Sequence, residues 1–307
     1  MDGILILNKS EGITSFGVVA RVRGITHTRK VGHAGTLDPM ATGVLPIFLG
    51  RATRAIGLLP CSDKTYIAKL KLGVRTDTGD RTGKIIGTKS VTVGKAEMES
   101  VLPAFRGQIM QIPPMYSAIH QNGKRLYELA RMGKVVERKA RPITIYRLLL
   151  LQADEKAGVY SLLVSCSSGT YIRTLIEDIG EKLGCGAIMT ALDRTEAAGF
   201  SEKNAVTVSD LESYAKEDTL AMHLLPIEYA FETLEMVTVT DKQAIRFCNG
   251  GFLSLERVNG VPSSGLCRVY APSKVFLGLG EINQEKQALL VKCNLLGSEN
   301  NGSLSRR

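Results

Sequence analysis

Apolar and polar side chains alternate between Thr65 and Val74: Tyr66, Ala68, Leu70 and Leu72 share one face, while Ile67, Lys69 and Lys71 share the other. That period of two predicts a half-buried strand. Tyr160, Leu162, Val164 and Cys166, alternating with Ser161, Leu163 and Ser165, predict a second. The unbroken apolar runs Ile4 to Leu7 and Val44 to Leu49 read as core strands. Ile172, Leu175, Ile176, Ile179 and Leu183 recur instead at helical spacing, between Ser167-Ser168-Gly169-Thr170 and the stop at Gly184.

Weaker signals fill in the rest. A helix is expected from an N-cap at Thr14 or Ser15 to about Gly24. Others are expected over Ala52 to Leu59 and Ala96 to Phe105, and from a Ser209-Asp210-Leu211-Glu212 capping box to about Leu224. The prolines of Gln111 to Ala118 keep that stretch extended. Pro226 to Leu234 is the natural boundary. Beyond it lie a small helix around Lys242 to Cys248 and strands over Leu266 to Tyr270, Val275 to Glu281 and Ala288 to Leu295, a separate β-rich unit. The expected domains are residues 1–231 and 232–296, with a polar, disordered tail at 297–307.

With 307 residues and 44% hydrophobic positions, the chain has material for a large domain and a small one. Lys and Arg outnumber Asp and Glu 39 to 30, a net charge of +9. That favours a polyanionic partner without choosing among DNA, RNA and anionic lipid. No apolar run approaches the length of a membrane span, and the N-terminus lacks the pattern of a signal peptide, so a cytoplasmic protein is expected. The six cysteines form no C-x-x-C pair and the four histidines are scattered. Reduced thiols and no metal site are therefore expected.

One stretch follows no period. Gly32-His33-Ala34-Gly35-Thr36-Leu37-Asp38-Pro39-Met40-Ala41-Thr42-Gly43 contains one carboxylate, Asp38, and no other acid. Its glycines and threonines favour a loop, and Pro39 pushes Asp38 towards stiff, extended backbone. On the residues alone Asp38 reads as turn material. A phosphate cradle fits less well: Gly79-Asp80-Arg81-Thr82-Gly83-Lys84 is one residue too short for a Walker loop, and Ile85 stands where Ser or Thr belongs.

Two basic segments accompany this loop. Arg21, Arg23, His27, Arg29, Lys30 and His33 lead into it with no acid between them. They suit either a solvated helix end or an approaching phosphate backbone. From His120 to Arg141, seven Lys and Arg face two acids, and Leu126, Leu129 and Ala130 give only a narrow apolar stripe. That describes a mobile RNA clamp or an ordinary exposed amphipathic helix equally well. Arg173, off the apolar face in the first turn of its helix, opposes the macrodipole at a cost of roughly 0.3–1 kcal/mol. It needs a partner, for which a surface salt bridge would serve. Tyr66 reads as core with its hydroxyl at the rim, and Lys9 reads as a solvated turn lysine.

The run Gly32 to Gly50 closely resembles the signature of the TruB family of tRNA pseudouridine synthases. The resemblance implies that Asp38 is the essential aspartate and that His33 helps remodel the RNA loop. Asp63-Lys64-Thr65-Tyr66 resembles the motif whose tyrosine stacks on the target base, an interaction worth roughly 1–3 kcal/mol. Gly169-Thr170-Tyr171-Ile172-Arg173-Thr174 resembles the motif whose arginine pairs with the aspartate, which would keep the carboxylate ionised. Leu192-Asp193-Arg194-Thr195 resembles the segment whose leucine packs in the pocket. The family often places a lysine after the first strand, beside the loop, where this chain has Lys9. Phe276-Leu277-Gly278-Leu279-Gly280-Glu281 more loosely resembles a PUA-type RNA-binding barrel.

The resemblance implies an α+β protein: a pseudouridine synthase core with a mixed β-sheet flanked by helices, plus a small C-terminal PUA-like β-barrel. It also implies conversion of uridine to pseudouridine at the position numbered 55 in the T arm of tRNA, by a monomer without cofactor or metal. Asp38, Tyr66 and Arg173 become catalytic candidates, with Tyr66 able to assist proton removal from carbon 5. His33, Lys9, Tyr171 and Leu192 become substrate-binding candidates, His33 filling the gap left by the flipped base. Two other classes share the charge pattern: a non-catalytic tRNA-binding or RNA-folding protein, and a nucleotide-dependent enzyme with a phosphate loop at Gly32 to Gly43.

Overall fold

The two alternating segments pair with each other near the middle of a nine-stranded sheet. In the computed structural model, which describes residues 1–121 and 123–296, strand Lys64–Leu72 runs antiparallel to Val159–Cys166 on one side and to Ala187–Ala197 on the other. Arg141–Asp154 and then Gly107–Gln111 continue the sheet beyond Val159–Cys166. Thr42–Leu49 and then Gly3–Lys9 continue it beyond Ala187–Ala197. The short strand Val31–His33 also pairs with Thr42–Leu49. The expected tail from Gly297 lies outside the described residues.

The sheet is mixed because Ala187–Ala197 meets Thr42–Leu49 in parallel, with Asp193 opposite Thr42 and Arg194 opposite Gly43. Gly43 has φ +100°, and a Cβ there would collide with the backbone carbonyl of Arg194. Only glycine allows this approach.

Periodicity explains the packing. The Tyr66–Leu72 face and the Tyr160–Cys166 face form one core with Ile172, Leu175, Ile176 and Ile179 of helix Ile172–Lys182. On the neighbouring strands, Leu5, Leu7, Leu45 and Ile47 pack against Val18, Val19 and Val22 of helix Ser15–Thr26. Thr14 is that helix's N-cap, accepting from the Gly17 amide at 2.9 Å. The helix passes through Gly24 and stops at His27, in the left-handed region with φ 49°.

Two helices differ from expectation. The helix expected over Ala52 to Leu59 is a 3₁₀ helix, Gly50–Leu58, whose buried positions Ala52 and Ala55 are three apart, the spacing of that tighter helix. The later capping box is made by Thr207 and Asp210, with Thr207 N donating to Asp210 at 2.7 Å, and its helix, Val208–Lys216, ends eight residues short of Leu224. Ser209 sits inside the first turn.

The C-terminal sheet, ordered Met236–Thr238, Gly265–Tyr270, Phe276–Asn283, Ala288–Asn294 and Leu253–Ser254, curls into a half-barrel. Val237, Phe247, Val269, Leu277 and Leu289 fill it. Leu279, Cys293 and Leu295 pack with Ala55 and Phe231 and join it to the larger unit.

Candidate active site

The loop between Val31–His33 and Thr42–Leu49 is held from below by two side chains and one backbone amide. Ser15 is buried; its hydroxyl accepts from the Leu37 amide at 2.8 Å and donates to the Leu37 carbonyl at 3.1 Å. The Pro39 carbonyl accepts from the Gly12 amide at 2.8 Å and from Lys9 Nζ at 3.3 Å. Lys9 is wholly buried, contrary to the expected solvated turn lysine, and Nζ also donates to the Ser10 and Ile13 carbonyls at 2.9 Å each. Three converging carbonyls make burial tolerable. Burial still pushes its pKa down to about 8, against the opposing pull of Asp38.

Asp38, between the Leu37 and Pro39 anchors, faces Arg173. Arg173 Nε lies 3.0 Å from Asp38 Oδ2, and Nη2 lies 3.5 Å from Oδ1. The arginine side chain is 7% exposed and the aspartate 36%. The cation is therefore enclosed while part of the carboxylate stays open. Arg173 also donates to the carbonyls of Tyr116 at 2.8 Å and Thr78 at 3.1 Å. A second carboxylate, buried Asp80, stands 3.8 Å from Nε and accepts from the Thr78 hydroxyl and from the amide and hydroxyl of Thr82. Acceptors from three loops offset the unfavourable place of a cation at a helix N-terminus.

Tyr66 and Leu192 are 6% and 7% exposed and share the core of Leu37, Met40 and Ala41, the apolar residues around Asp38. Burial pushes the Tyr66 phenol up to about 12 although the adjacent Arg194 guanidinium opposes the shift. His33, half-buried opposite Ile47, titrates below its usual value because of burial and the Arg194 charge. Among the described residues its Nδ1 has no hydrogen-bond partner. Tyr171 sits at the N-cap of the Arg173 helix. Gln111 holds it by both backbone groups, accepting from its amide at 2.8 Å and donating to its carbonyl at 3.1 Å.

The structure thus gathers Asp38, Arg173, Tyr66, Leu192, Tyr171 and His33 around one loop, with Lys9 beneath it. Ser15, Asp80, Gln111 and Arg194 are further residues that pattern reading did not single out as site residues. Asp80 and Gln111 bear no period of their own; Ser15 and Arg194 lay within noted segments, but their partners are mainly backbone groups far along the chain. The basic approach is exposed at Arg21, Arg23, His27, Arg29 and Lys30. In the 120–141 region, a short hairpin and helix Leu126–Arg131 carry exposed Lys124, Arg125 and Arg131. Leu126 anchors them in the protein. Among the described residues no helix is long and apolar enough to cross a membrane, and no group of His, Cys, Asp and Glu is gathered for a metal ion.

Comparison with known proteins agrees with the fold. Residues 23–172 match the TruB family pseudouridylate synthase N-terminal domain, residues 173–232 the tRNA pseudouridylate synthase B C-terminal domain, and residues 236–287 the pseudouridine synthase II TruB C-terminal domain. The chain belongs to the TruB family of pseudouridylate synthases. The tRNA pseudouridine synthase B of Pseudomonas putida is 42% identical over 288 residues, covering 93% of each chain. That of Clostridium perfringens is 43% identical over 288 residues, covering 93% of this chain and 96% of its own. Among solved structures, a crystal structure of a Cbf5-Nop10-Gar1 complex superposes with a TM-score of 0.75 at 27% identity, over 97% of this chain and 86% of the other.

Proposed function

We propose that this chain isomerises uridine to pseudouridine in tRNA, at position 55 of the T arm, with Asp38 as the reacting carboxylate. The observation that carries the role of Asp38 is the half-open Asp38–Arg173 pair: an enclosed cation orients a carboxylate whose free edge faces outward from a stiff loop. The reaction breaks the bond from N1 of uracil to the sugar, turns the base and joins its C5 to the same sugar carbon. C5 loses a proton and N1 gains one. Nothing is oxidised or reduced, so the chemistry calls for no cofactor. Asp38 serves either as nucleophile or as acceptor of a sugar proton.

Arg173 holds Asp38 in place, and Asp80 holds Arg173 from behind. Tyr66 and Leu192 form the apolar floor for the base, flanked by Tyr171. With its pKa near 12, the Tyr66 hydroxyl is protonated at neutral pH. It enters the chemistry as a hydrogen-bond donor. His33, largely neutral, fills the stack left by the flipped nucleotide. Lys9 acts from beneath, through the Pro39 carbonyl. The exposed cations of residues 21–30 and 120–141 take the phosphate backbone, with residues 1–231 as the catalytic unit and 232–296 as a second RNA-binding unit, in a cytoplasmic monomer.

The test is tritium release from C5 of uridine in an unmodified tRNA transcript, with the modified position mapped afterwards. Release by the wild type, lost in Asp38→Asn with tRNA binding retained, is expected. Tight tRNA binding without release from any position would replace this reading with a non-catalytic RNA-binding one.

A further inference from the structure

Arg194 has the largest side chain completely removed from solvent, and the proposed reaction gives it no role. A guanidinium remains charged when buried, so acceptors must offset its desolvation. Among the described residues no carboxylate forms an ion pair with it. Its acceptors lie instead on both arms of the Asp38 loop. Arg194 donates to the carbonyls of Gly35 at 3.0 Å and Thr36 at 3.3 Å on the entering arm, and to that of Val44 at 2.8 Å on the leaving arm.

The same residue reaches Tyr66. Arg194 and Tyr66 are register partners across antiparallel strands, while on its other side Arg194 is paired with Gly43. Directly opposed side chains in such a pair stand on the same face within reach of each other, and the Arg194 charge opposes the rise that burial imposes on the Tyr66 phenol. A guanidinium has donors only, so towards the Tyr66 oxygen it acts as a donor.

We propose that Arg194 is the positioning residue of this site, one buried guanidinium that sets the Asp38 loop and the Tyr66 hydroxyl together so that they act as a unit. The proposal rests on the roles of Asp38 and Tyr66 in the proposed reaction.

The test compares wild type, Arg194→Lys, Tyr66→Phe and the double variant in single-turnover tritium release from unmodified tRNA. Arg194→Lys keeps the charge and loses the fork. It is expected to bind tRNA within about threefold of wild type and to react about 10²-fold more slowly, the effect of a misplacement near 1 Å. Residues acting as a unit are non-additive, so the double variant is expected to be within about threefold of the slower single variant. A wild-type rate in Arg194→Lys, or losses that multiply in the double variant, would overturn the proposal.

A second measurement does not depend on how Arg194→Lys folds. Coupling is reciprocal, so Tyr66→Phe should speed hydrogen exchange at two loop amides, that of Leu37, bonded to the Ser15 hydroxyl, and that of Ala41, bonded to the Asp38 carbonyl, by about tenfold. Unchanged exchange there overturns the coupling. Absence of tritium release by the wild type would defeat the functional reading alone, since the exchange result decides the coupling independently.

Discussion

Arg173 and Asp38 are 135 residues apart in sequence, and yet Arg173 Nε lies 3.0 Å from a carboxylate oxygen of Asp38. The loop brings the acid and the helix brings the base.

Arg173→Lys tests what the planar fork adds. A lysine retains the charge but cannot serve Asp38, Tyr116 and Thr78 at once. The single-turnover rate is expected to fall about 10²-fold with tRNA affinity little changed. Arg173→Met, which leaves Asp80 buried without its cation, should cost about 3–5 kcal/mol in denaturant unfolding.

Gln111→Leu removes the side chain that pairs with both backbone groups of Tyr171. Two hydrogen bonds are lost and an amide at a helix start is orphaned, so a destabilisation of about 2–3 kcal/mol is expected. Because Tyr171 stands two residues before Arg173, turnover should fall about tenfold as well. Urea unfolding and tritium release, measured on one preparation, separate the two effects.

Gly43→Ala places a methyl group against the Arg194 carbonyl at a positive φ. The expected loss is about 3 kcal/mol, seen as a lower denaturation midpoint. Gly12→Ala, also at positive φ but with open space around its Cβ, should cost less.

Lys9 makes stability depend on alkaline pH. Its pKa is about 8 in the folded protein against 10.5 when free, so between those values the unfolded chain binds more protons. Stability contributed by this group therefore rises with pH across that window, and below pH 8 the full penalty of the buried charge is present. The difference in unfolding free energy between wild type and Lys9→Met should shift towards the wild type by about 3 kcal/mol from pH 7.5 to 10.5. A flat difference would mean that the lysine is not desolvated.

The elements legible from sequence were those with one buried face. Strands at Lys64–Leu72 and Val159–Cys166 and helix Ile172–Lys182 lie within a few residues of the expected bounds, because burial imposes its period on the side chains. The capping box was ambiguous: Thr207 and Ser209 each precede an acid by three, and the structure forms the box at Thr207 and Asp210. The meeting of Asp38 and Arg173 came from motif resemblance, since no local pattern relates them. The burial of Lys9 and the site roles of Gln111 and Arg194 stayed illegible for a shared reason. Their partners are mainly backbone carbonyls and amides, which every residue possesses and no sequence pattern marks.

The parallel bridge between Gly43 and Arg194 also sets an order of events during synthesis. Arg194 bonds the Val44 carbonyl across 150 residues. A ribosome adding about 5–20 residues per second takes roughly 8–30 s to supply them. Throughout that interval the exposed cations of residues 21–30 are already part of the chain while the Asp38 loop, though reached by Lys9 and Ser15, lacks its Arg194 latch. The nascent chain can attract RNA well before it can act on it.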